Sequence, residues 1–172
     1  EKKAQIAFLG DTPYFLPQSN LNEMKSFYKS LYENFDDEIF EHLLSVFPLN
    51  RTARISTMSK GMQRQAALIL AMSTKPKYLL LDEAFDGLDP VVRHLLKKII
   101  INHVSEHDMT VIIASHNLRE LEDLCDRLCL LHRGCLLMER DIVSLRMDYR
   151  KIQIAFSEVP NEPNLFEGLN VV

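Results

Sequence analysis

The fold of this chain is decided by the stretch YLLLDE, residues Tyr78–Glu83, an apolar run that stops at two adjacent carboxylates. Such a run is typical of a strand buried on both faces, because parallel strands covered by helices lose the alternation of apolar and polar residues. Ligands of open α/β sheets bind in the crevice beyond the carboxyl ends of the strands. The stretch therefore predicts a buried strand with Asp82 and Glu83 beside a ligand; a strand that merely runs into a polar loop is the alternative.

Strands and helices alternate around this stretch. Met109–Ala114 predicts a second buried strand, and Val91–His107 has the apolar spacing of a long helix. Gln5–Leu9 predicts a further short strand, which ends at the turn-forming residues 10–13. Alternation of this kind over residues 78–131 is typical of right-handed βαβ units. The predicted fold class is therefore α/β with a parallel sheet.

The region between Asn20 and Phe47 has a helical pattern of apolar residues instead of strand-like runs. Its apolar residues recur at three- and four-residue spacing, which predicts two short amphipathic helices with aromatic side chains in the core. Asp36 and Asp37 stand where an N-cap and a first-turn acid stabilise the second helix. These features indicate a helical insert between the strands.

Composition narrows the classes of function. The chain has 172 residues and a formal net charge of -4, so it offers nucleic acid no overall electrostatic attraction. It contains no apolar run near the roughly 18 residues that cross a bilayer, which predicts no direct membrane insertion. The three cysteines, an odd number, favour reduced thiols over a disulfide framework. We expect a cytoplasmic domain that does not bind nucleic acid.

Three polar clusters follow one another along the chain: Ser59–Gly61 at a predicted helix start, Asp82–Glu83 at a strand end, and His116 at the end of the next strand. Together they suit phosphoryl transfer to water, which needs a divalent metal, a group that orients water and donors for the γ-phosphate. Carboxylates bind hard cations, and a helix amino terminus binds anions. Each cluster also has a structural alternative, as a helix cap, a loop acid or a surface histidine.

Four motifs carry a family resemblance. Met58–Gln63 resembles the signature motif of ABC-transporter ATPases, usually Leu-Ser-Gly-Gly-Gln, and Tyr78–Glu83 resembles their Walker B strand. Gly87–Asp89 is similar to their D-loop, and Ser115–His116 to their switch histidine. The likeness extends over Ile6–Met138. It implies a P-loop NTPase-like parallel sheet flanked by helices, with a small helical subdomain.

The resemblance also implies roles for individual residues. Asp82 would coordinate Mg²⁺, Glu83 would be the general base, and His116 would contact the γ-phosphate of ATP. These ATPases hold ATP between two head-to-tail subunits, so a second ATP-binding subunit, identical or different, is implied as a partner. The residues implied to contact the nucleotide or the second site are Ser59, Lys60, Gly61, Met62 and Asp89.

Two motifs depart from the usual family pattern. Lys60 and Met62 replace the glycine and glutamine of the signature, which resembles the ATP-binding subunits of ABC-2-type exporters, including the bacitracin and lantibiotic self-protection group. The Q-loop glutamine aligns best with Asp11, and Gln18 is the poorer candidate. An acid at that position can still bind a metal-bound water.

The 172 residues contain no Gly-x-x-x-x-Gly-Lys-[Ser/Thr] loop, which would wrap the phosphates of ATP with backbone N–H groups. We expect a carboxyl-terminal fragment that binds ATP poorly and does not turn it over alone. By resemblance, residues 1–18 hold the end of the N-terminal core with the Q-loop region and residues 19–57 the helical subdomain. Residues 58–140 hold the signature helix, Walker B, D-loop and switch histidine, and residues 141–172 a C-terminal extension.

The resemblance implies an ATP-binding and ATP-hydrolysing subunit of a membrane exporter. Its helical subdomain would dock on membrane-spanning permease subunits at the inner face of the cell membrane. The alternatives are an ABC-type ATPase that works in DNA repair or on the ribosome, and a non-catalytic regulatory domain. The acidic charge disfavours the former, and intact Glu83 and His116 disfavour the latter.

Two further groups of residues are interpreted as structural. Cys125, Cys129, His132 and Cys135 have a spacing that zinc ligands also show. However, Cys129 and His132 fall on opposite faces of a strand, so we expect buried thiols in a core instead. The acids of the helix after Asn117, namely Glu120, Glu122 and Asp123, are expected to form a solvated face.

Overall fold

The computed structural model describes residues 5–148, which divide into two compact units with the boundary between Cys125 and Asp126. Among the described residues no helix is both long and apolar enough to cross a membrane. The first unit contains β1 (Ile6–Leu9), α1 (Leu21–Leu31), α2 (Asp37–Val46), α3 (Lys60–Ser73), β2 (Tyr78–Asp82), α4 (Pro90–His107), β3 (Thr110–Ala114) and α5 (Leu118–Glu122). The second contains β4 (Arg127–His132), β5 (Cys135–Asp141) and α6 (Ile142–Asp148).

The sheet of the first unit is parallel, as the alternation of strands and helices predicts. Its strand order is β1-β2-β3, so β2 lies in the centre. The register pairs Ala7 with Leu79 and Asp82 with Ala114. Because all strands run in the same direction, their carboxyl ends meet at one edge. The predicted α/β class and parallel sheet are confirmed.

One face of the sheet forms the core of the first unit. Ala7, Leu79 and Leu81 are buried on this face. Helix α3 packs against β1 and is buried continuously from Ala66 to Ser73. Helices α1 and α2 pack on α3 in turn, which joins the helical insert to the core.

The other face of the sheet differs from the prediction. Side chains alternate along a strand, and the alternate set is open: Phe8 is 67% exposed, Tyr78 37% and Ile112 58%. The expectation that β2 is buried on both faces is therefore wrong for the part of the chain that the structure describes. The continuous apolar run cannot show which of the two faces is covered, because it makes both faces equally apolar.

The helical insert begins and ends as its capping residues predict. Asn20 and Glu23 form a capping box at the start of α1. Asp36 is the N-cap of α2 and accepts hydrogen bonds from the backbone N–H groups of Glu38 and Ile39. The backbone N–H of Asp36 also donates to the carbonyl of Ser73 at 2.7 Å. The start of α2 is thus fixed to the end of α3.

Helix α5 ends at Glu122, whereas the sequence predicts a helix over 118–125, and one of its acids is buried. Glu120 is only 4% exposed and forms an ion pair with Arg93 of α4 at 3.0 Å. The expectation of a fully solvated acidic face is wrong for Glu120, because α4 supplies a cation on the inner side of the helix. Asp123, by contrast, has a side chain that is 68% exposed.

The second unit is an antiparallel hairpin followed by a helix. Most side chains on both β4 and β5 are exposed, including Cys129 and Cys135. The expectation of buried thiols is wrong for these two cysteines, because a two-stranded sheet encloses little volume. The sequence also predicts a short helix over 141–149 and a strand over 151–157, and helix α6 corresponds to that helix. The strand predicted over 151–157 lies outside the described residues.

The Asp36 cap gives a testable contribution to stability. The hydrogen bond from Ile39, with those from Glu38 and Lys75, holds the pKa of the Asp36 carboxyl below its usual range. The stabilisation that the ionised Asp36 carboxylate provides is fully present at pH values above the pKa of an unfolded aspartate. It is lost as the pH falls through the lower pKa of the folded state. Asp36→Ala is expected to lower the unfolding free energy at pH 7 by about 1 kcal/mol. Urea unfolding followed by circular dichroism measures this.

Asp36→Asn is the matched control, since it retains an oxygen that can cap the helix but cannot titrate. It is expected to change stability little at pH 7 and to reduce the loss of stability below about pH 4. Equal pH dependence in the parent chain and Asp36→Asn would contradict the role of the Asp36 carboxylate.

Candidate active site

The ends of β2 and β3 bring together two of the residues that the sequence singles out. Beyond the last paired residues, Asp82 and Ala114, the backbone N–H of Glu83 donates to the carbonyl of Ala114 at 2.9 Å. The Glu83 Oε1 atom lies 2.9 Å from His116 Nδ1 and accepts from the His116 backbone N–H at 3.2 Å. Glu83 and His116 therefore form one bonded pair at the carboxyl edge of the sheet.

Glu83 has an unusual backbone. Its φ of 48° lies in the left-handed region, which costs a residue with a side chain about 1–2 kcal/mol. The chain turns here, and the backbone N–H of Asp86 donates to the carbonyl of Glu83 at 3.2 Å. Backbone strain of this kind often occurs at functional sites. The side chain of Glu83 contacts His116, which follows β3.

The pair is electrostatically coupled. The hydrogen bond from His116 holds the pKa of the Glu83 carboxyl below its usual range, although partial desolvation opposes this effect. The same hydrogen bond and the charge of Glu83 raise the pKa of His116. The pair therefore favours an ionised carboxylate beside a protonated imidazole. The His116 side chain is 73% exposed and accessible to a ligand.

Three side chains at this edge could hold a cation. One ligand atom each from Glu83, Asp86 and His116 lies within 4.8 Å of the others, and no other group of three meets this limit among residues 5–148. Asp82, the ligand predicted by resemblance, is half-buried at the end of β2 and is not part of this group. The sequence reasoning missed Asp86. Its signal is its spacing, since an acid three residues after Glu83 lies across the same turn.

The signature segment starts α3. Ser59 is the N-cap and accepts from the Met62 backbone N–H at 3.2 Å, as predicted for a cap. Gly61 lies against the D-loop, because a Cβ atom at this position would be 3.3 Å from the carbonyl oxygen of Gly87. Lys60 and Met62 are exposed. The structure thus brings the signature segment and the D-loop of the same chain into contact.

Asp11 lies beside α3. Arg64 donates to the Asp11 carbonyl at 3.1 Å and forms an ion pair with its carboxylate. The Arg64 side chain is only 11% exposed and passes close to Gly87. The sequence reasoning missed Arg64, which follows the signature motif by one residue. Gln18, the poorer Q-loop candidate, is exposed and has a φ of 59°.

Asp89 has a clear local role. Its Oδ1 atom accepts hydrogen bonds from the backbone N–H groups of Val91 and Val92, both at 3.0 Å, and so caps α4. Pro90 at the first helical position supports this start, since its fixed φ suits a helix. The D-loop is therefore fixed to α4 at one end and lies against α3 at the other.

The parallel sheet with helices packed against it is the arrangement of the P-loop NTPase fold. A solved structure described as an ATP-binding subunit of an ABC transporter matches this fold with a TM-score of 0.76 at 24% identity. That match covers 85% of this chain and 62% of the other. The fold prediction is confirmed.

The sequence comparisons identify the family. Residues 16–122 match the family described as "AAA domain, putative AbiEii toxin, Type IV TA system". The ABC transporter ATP-binding protein YtrB of Bacillus subtilis is 29% identical over 90% of this chain and 53% of its own length. The Nod factor export ATP-binding protein I of Bradyrhizobium diazoefficiens is 38% identical over 50% of this chain and 28% of its own.

The chain therefore belongs to this AAA-type ATPase family, and its curated homologues are ABC transporter ATP-binding proteins. ATP binding, generally with Mg²⁺, characterises such domains. The chain spans about half or less of the length of these two relatives. The family resemblance deduced from the motifs is confirmed.

The Arg64 contacts yield a stability prediction. Arg64→Ala removes the bonds to Asp11 and the packing beside Gly87, and is expected to lower the unfolding free energy by about 1 kcal/mol. Arg51→Ala is a matched control, because Arg51 and its partner Glu41 have side chains that are 44% and 43% exposed. It is expected to cost less than about 0.5 kcal/mol. Equal losses in urea unfolding would contradict a special role for Arg64.

Proposed function

We propose that this chain provides the water-activating half of an ATP site in the ATP-binding subunit of an ABC-type exporter. The observation that carries the proposal is the bonded pair of Glu83 and His116 at the carboxyl edge of the sheet. In-line attack of water on the γ-phosphate needs a group that orients the water and a donor that stabilises the phosphate charge. In this pair, Glu83 is the group that orients the water and His116 is the donor.

Glu83 orients the attacking water. One carboxylate oxygen, Oε1, is held by His116, whereas Oε2 is buried without a hydrogen-bond partner among the described residues. A buried acceptor without a partner is costly, so a water molecule bound there is favourable. Since the pKa of Glu83 is lowered, the carboxylate is ionised at neutral pH and accepts a hydrogen bond from water. Its main effect is orientation and the acceptance of a proton as the bond to phosphorus forms.

His116 binds the γ-phosphate. Its Nδ1 atom is engaged by Glu83, which leaves Nε2 for a second partner. The raised pKa of His116 favours the protonated ring, in which Nε2–H donates to an anionic oxygen. The exposed position of the ring makes it accessible to the nucleotide. Glu83 thus sets both the orientation and the charge of His116.

Asp82 is the proposed ligand of Mg²⁺, directly or through water, since a half-buried carboxylate at the strand end suits a hard cation. Bound Mg²⁺ neutralises phosphate charge. Asp11 is the proposed Q-loop residue, and its carboxylate is 62% exposed although Arg64 pairs with it. This exposure supports a contact between Asp11 and a water molecule of the metal.

The signature residues Ser59, Lys60, Gly61 and Met62 are proposed to contact ATP held mainly by a second subunit, with Asp89 linking the two sites. The start of α3 presents backbone N–H groups, and Ser59, Lys60 and Met62 are exposed there. A helix amino terminus binds phosphate through these groups and through the helix dipole. These features support a head-to-tail dimer.

The proposed partners beyond that dimer are membrane-spanning permease subunits, which dock on the helical insert at the inner face of the cell membrane. Export is supported by the printed function of one relative, a Nod factor export protein. We further infer that the phosphate-binding loop comes from residues outside these 172, because the sequence contains no such motif and spans about half of YtrB.

In the longer protein with its phosphate loop, Glu83→Gln is expected to abolish ATP hydrolysis and to retain ATP-dependent dimers. The amide keeps the shape of the side chain but cannot accept the proton. Phosphate release and size-exclusion chromatography with ATP measure the two effects. Glu106→Gln, an exposed change on α4, is the control and should leave turnover intact. Unchanged turnover in Glu83→Gln would remove Glu83 from its proposed role.

The 172-residue chain alone is expected to bind ATP weakly and to release no phosphate above background. The physical reason is the missing set of backbone N–H groups and lysine that would hold the β- and γ-phosphates. Equilibrium binding of a fluorescent ATP analogue with Mg²⁺ tests the first point. Efficient Mg²⁺-dependent hydrolysis by this chain would contradict the second.

A further inference from the structure

The turn after β2 and the end of β3 place three ligand groups around one point. Glu83 and Asp86 come from the same turn, where the Asp86 N–H donates to the Glu83 carbonyl, and His116 comes from the neighbouring strand end. One oxygen or nitrogen of each lies within 4.8 Å of the other two. The turn and the register between β2 and β3 create this arrangement.

The spacing suits a transition metal. Two ligands at about 2.1 Å from one ion, with an angle of 90–110° between them, lie about 3.0–3.4 Å apart. Glu83 Oε1 and His116 Nδ1 are 2.9 Å apart, close to this separation. Asp86 is half-buried, and one oxygen of its carboxylate lies within 4.8 Å of the other two ligand atoms.

The types of ligand atom at this site determine which divalent ions it favours. An imidazole and two carboxylates favour ions such as Zn²⁺, Co²⁺ or Mn²⁺, whereas Mg²⁺ prefers oxygen ligands and keeps much of its water. We propose that Glu83, Asp86 and His116 form a binding site for a divalent transition-metal ion, separate from the Mg²⁺ site assigned to Asp82.

The second oxygen of the Glu83 carboxylate, which can also hold a water molecule, suits a cation at this place. The Oε2 atom of Glu83 is buried and has no hydrogen-bond partner among residues 5–148. A metal ion that binds Glu83 through both oxygens, or a water molecule bound to that ion, satisfies this atom. The only positively charged partner of Glu83 that the described residues show is His116, which would exchange its proton for the metal.

The ion would act on the same residues as ATP hydrolysis. It would occupy the Glu83 oxygens and the His116 nitrogen that orient water and phosphate, and so would inhibit turnover. This consequence rests on the proposed ATPase function. Binding of the ion does not, because it depends only on the three side chains and can be measured without nucleotide.

The test is titration of the 172-residue chain with Zn²⁺ by calorimetry and with Co²⁺ by visible absorption, both in the absence of ATP. We expect one ion per chain and no competition from excess Mg²⁺. Asp86→Asn and His116→Ala should each weaken binding at least about tenfold. Even mutation of residues that only hydrogen-bond to metal ligands lowers metal affinity by about 10–100-fold. Circular dichroism checks that both variants fold.

Two variants serve as controls. Asp108→Asn removes an exposed carboxylate at the end of α4, and His107→Ala removes a histidine whose ring lies 5.0 Å from that of His103. Both should bind Zn²⁺ like the parent chain. Loss of binding in His107→Ala alone would place the ion on the α4 histidines and overturn the proposal. Parent-like affinity in both Asp86→Asn and His116→Ala would overturn it as well.

Discussion

The candidate site depends on the parallel register between β2 and β3. Pairing of Asp82 with Ala114 brings Glu83 level with the backbone that leads to His116. A slip of one residue would send the side chains of β2 to the opposite face and separate this pair. The hydrogen bond from Glu83 to the Ala114 carbonyl continues the ladder, while its positive φ already starts the turn. One residue therefore ends the strand and begins the site.

A second constraint ties the signature segment to the D-loop. The loop between β2 and α4 lies against α3, where Gly61 permits close contact with the Gly87 carbonyl. Arg64, one turn further along α3, reaches both Gly87 and Asp11. Three segments that the sequence presents separately thus share one small region of contact. A movement of the start of α3 would therefore change its contacts with the D-loop and with Asp11 directly.

Local features of the fold could be predicted from the sequence, and features that depend on distant contacts could not. Caps such as Ser59 and Asp36 act over a few residues, and the structure shows both. The burial of Glu120 depends on Arg93 in another helix, and the contact of Arg64 with Asp11 joins residues 53 positions apart. The pairing of Glu83 with His116 depends on β2 and β3 being neighbours in the sheet, whereas the predicted βαβ units place both strands in one parallel sheet without giving the strand order.

The backbone conformation of Glu83 and the burial of its carboxylate lower the stability of the fold, which is typical of a residue that serves a chemical function. Its left-handed backbone costs about 1–2 kcal/mol, which a glycine would avoid. Its buried Oε2 atom, which has no hydrogen-bond partner within residues 5–148, adds the cost of an unsatisfied acceptor. The bond to His116 offsets only part of this, because that ring is largely exposed and solvent weakens the attraction. A ligand at Oε2, whether water or a metal ion, would supply the missing interaction and so offset part of this cost.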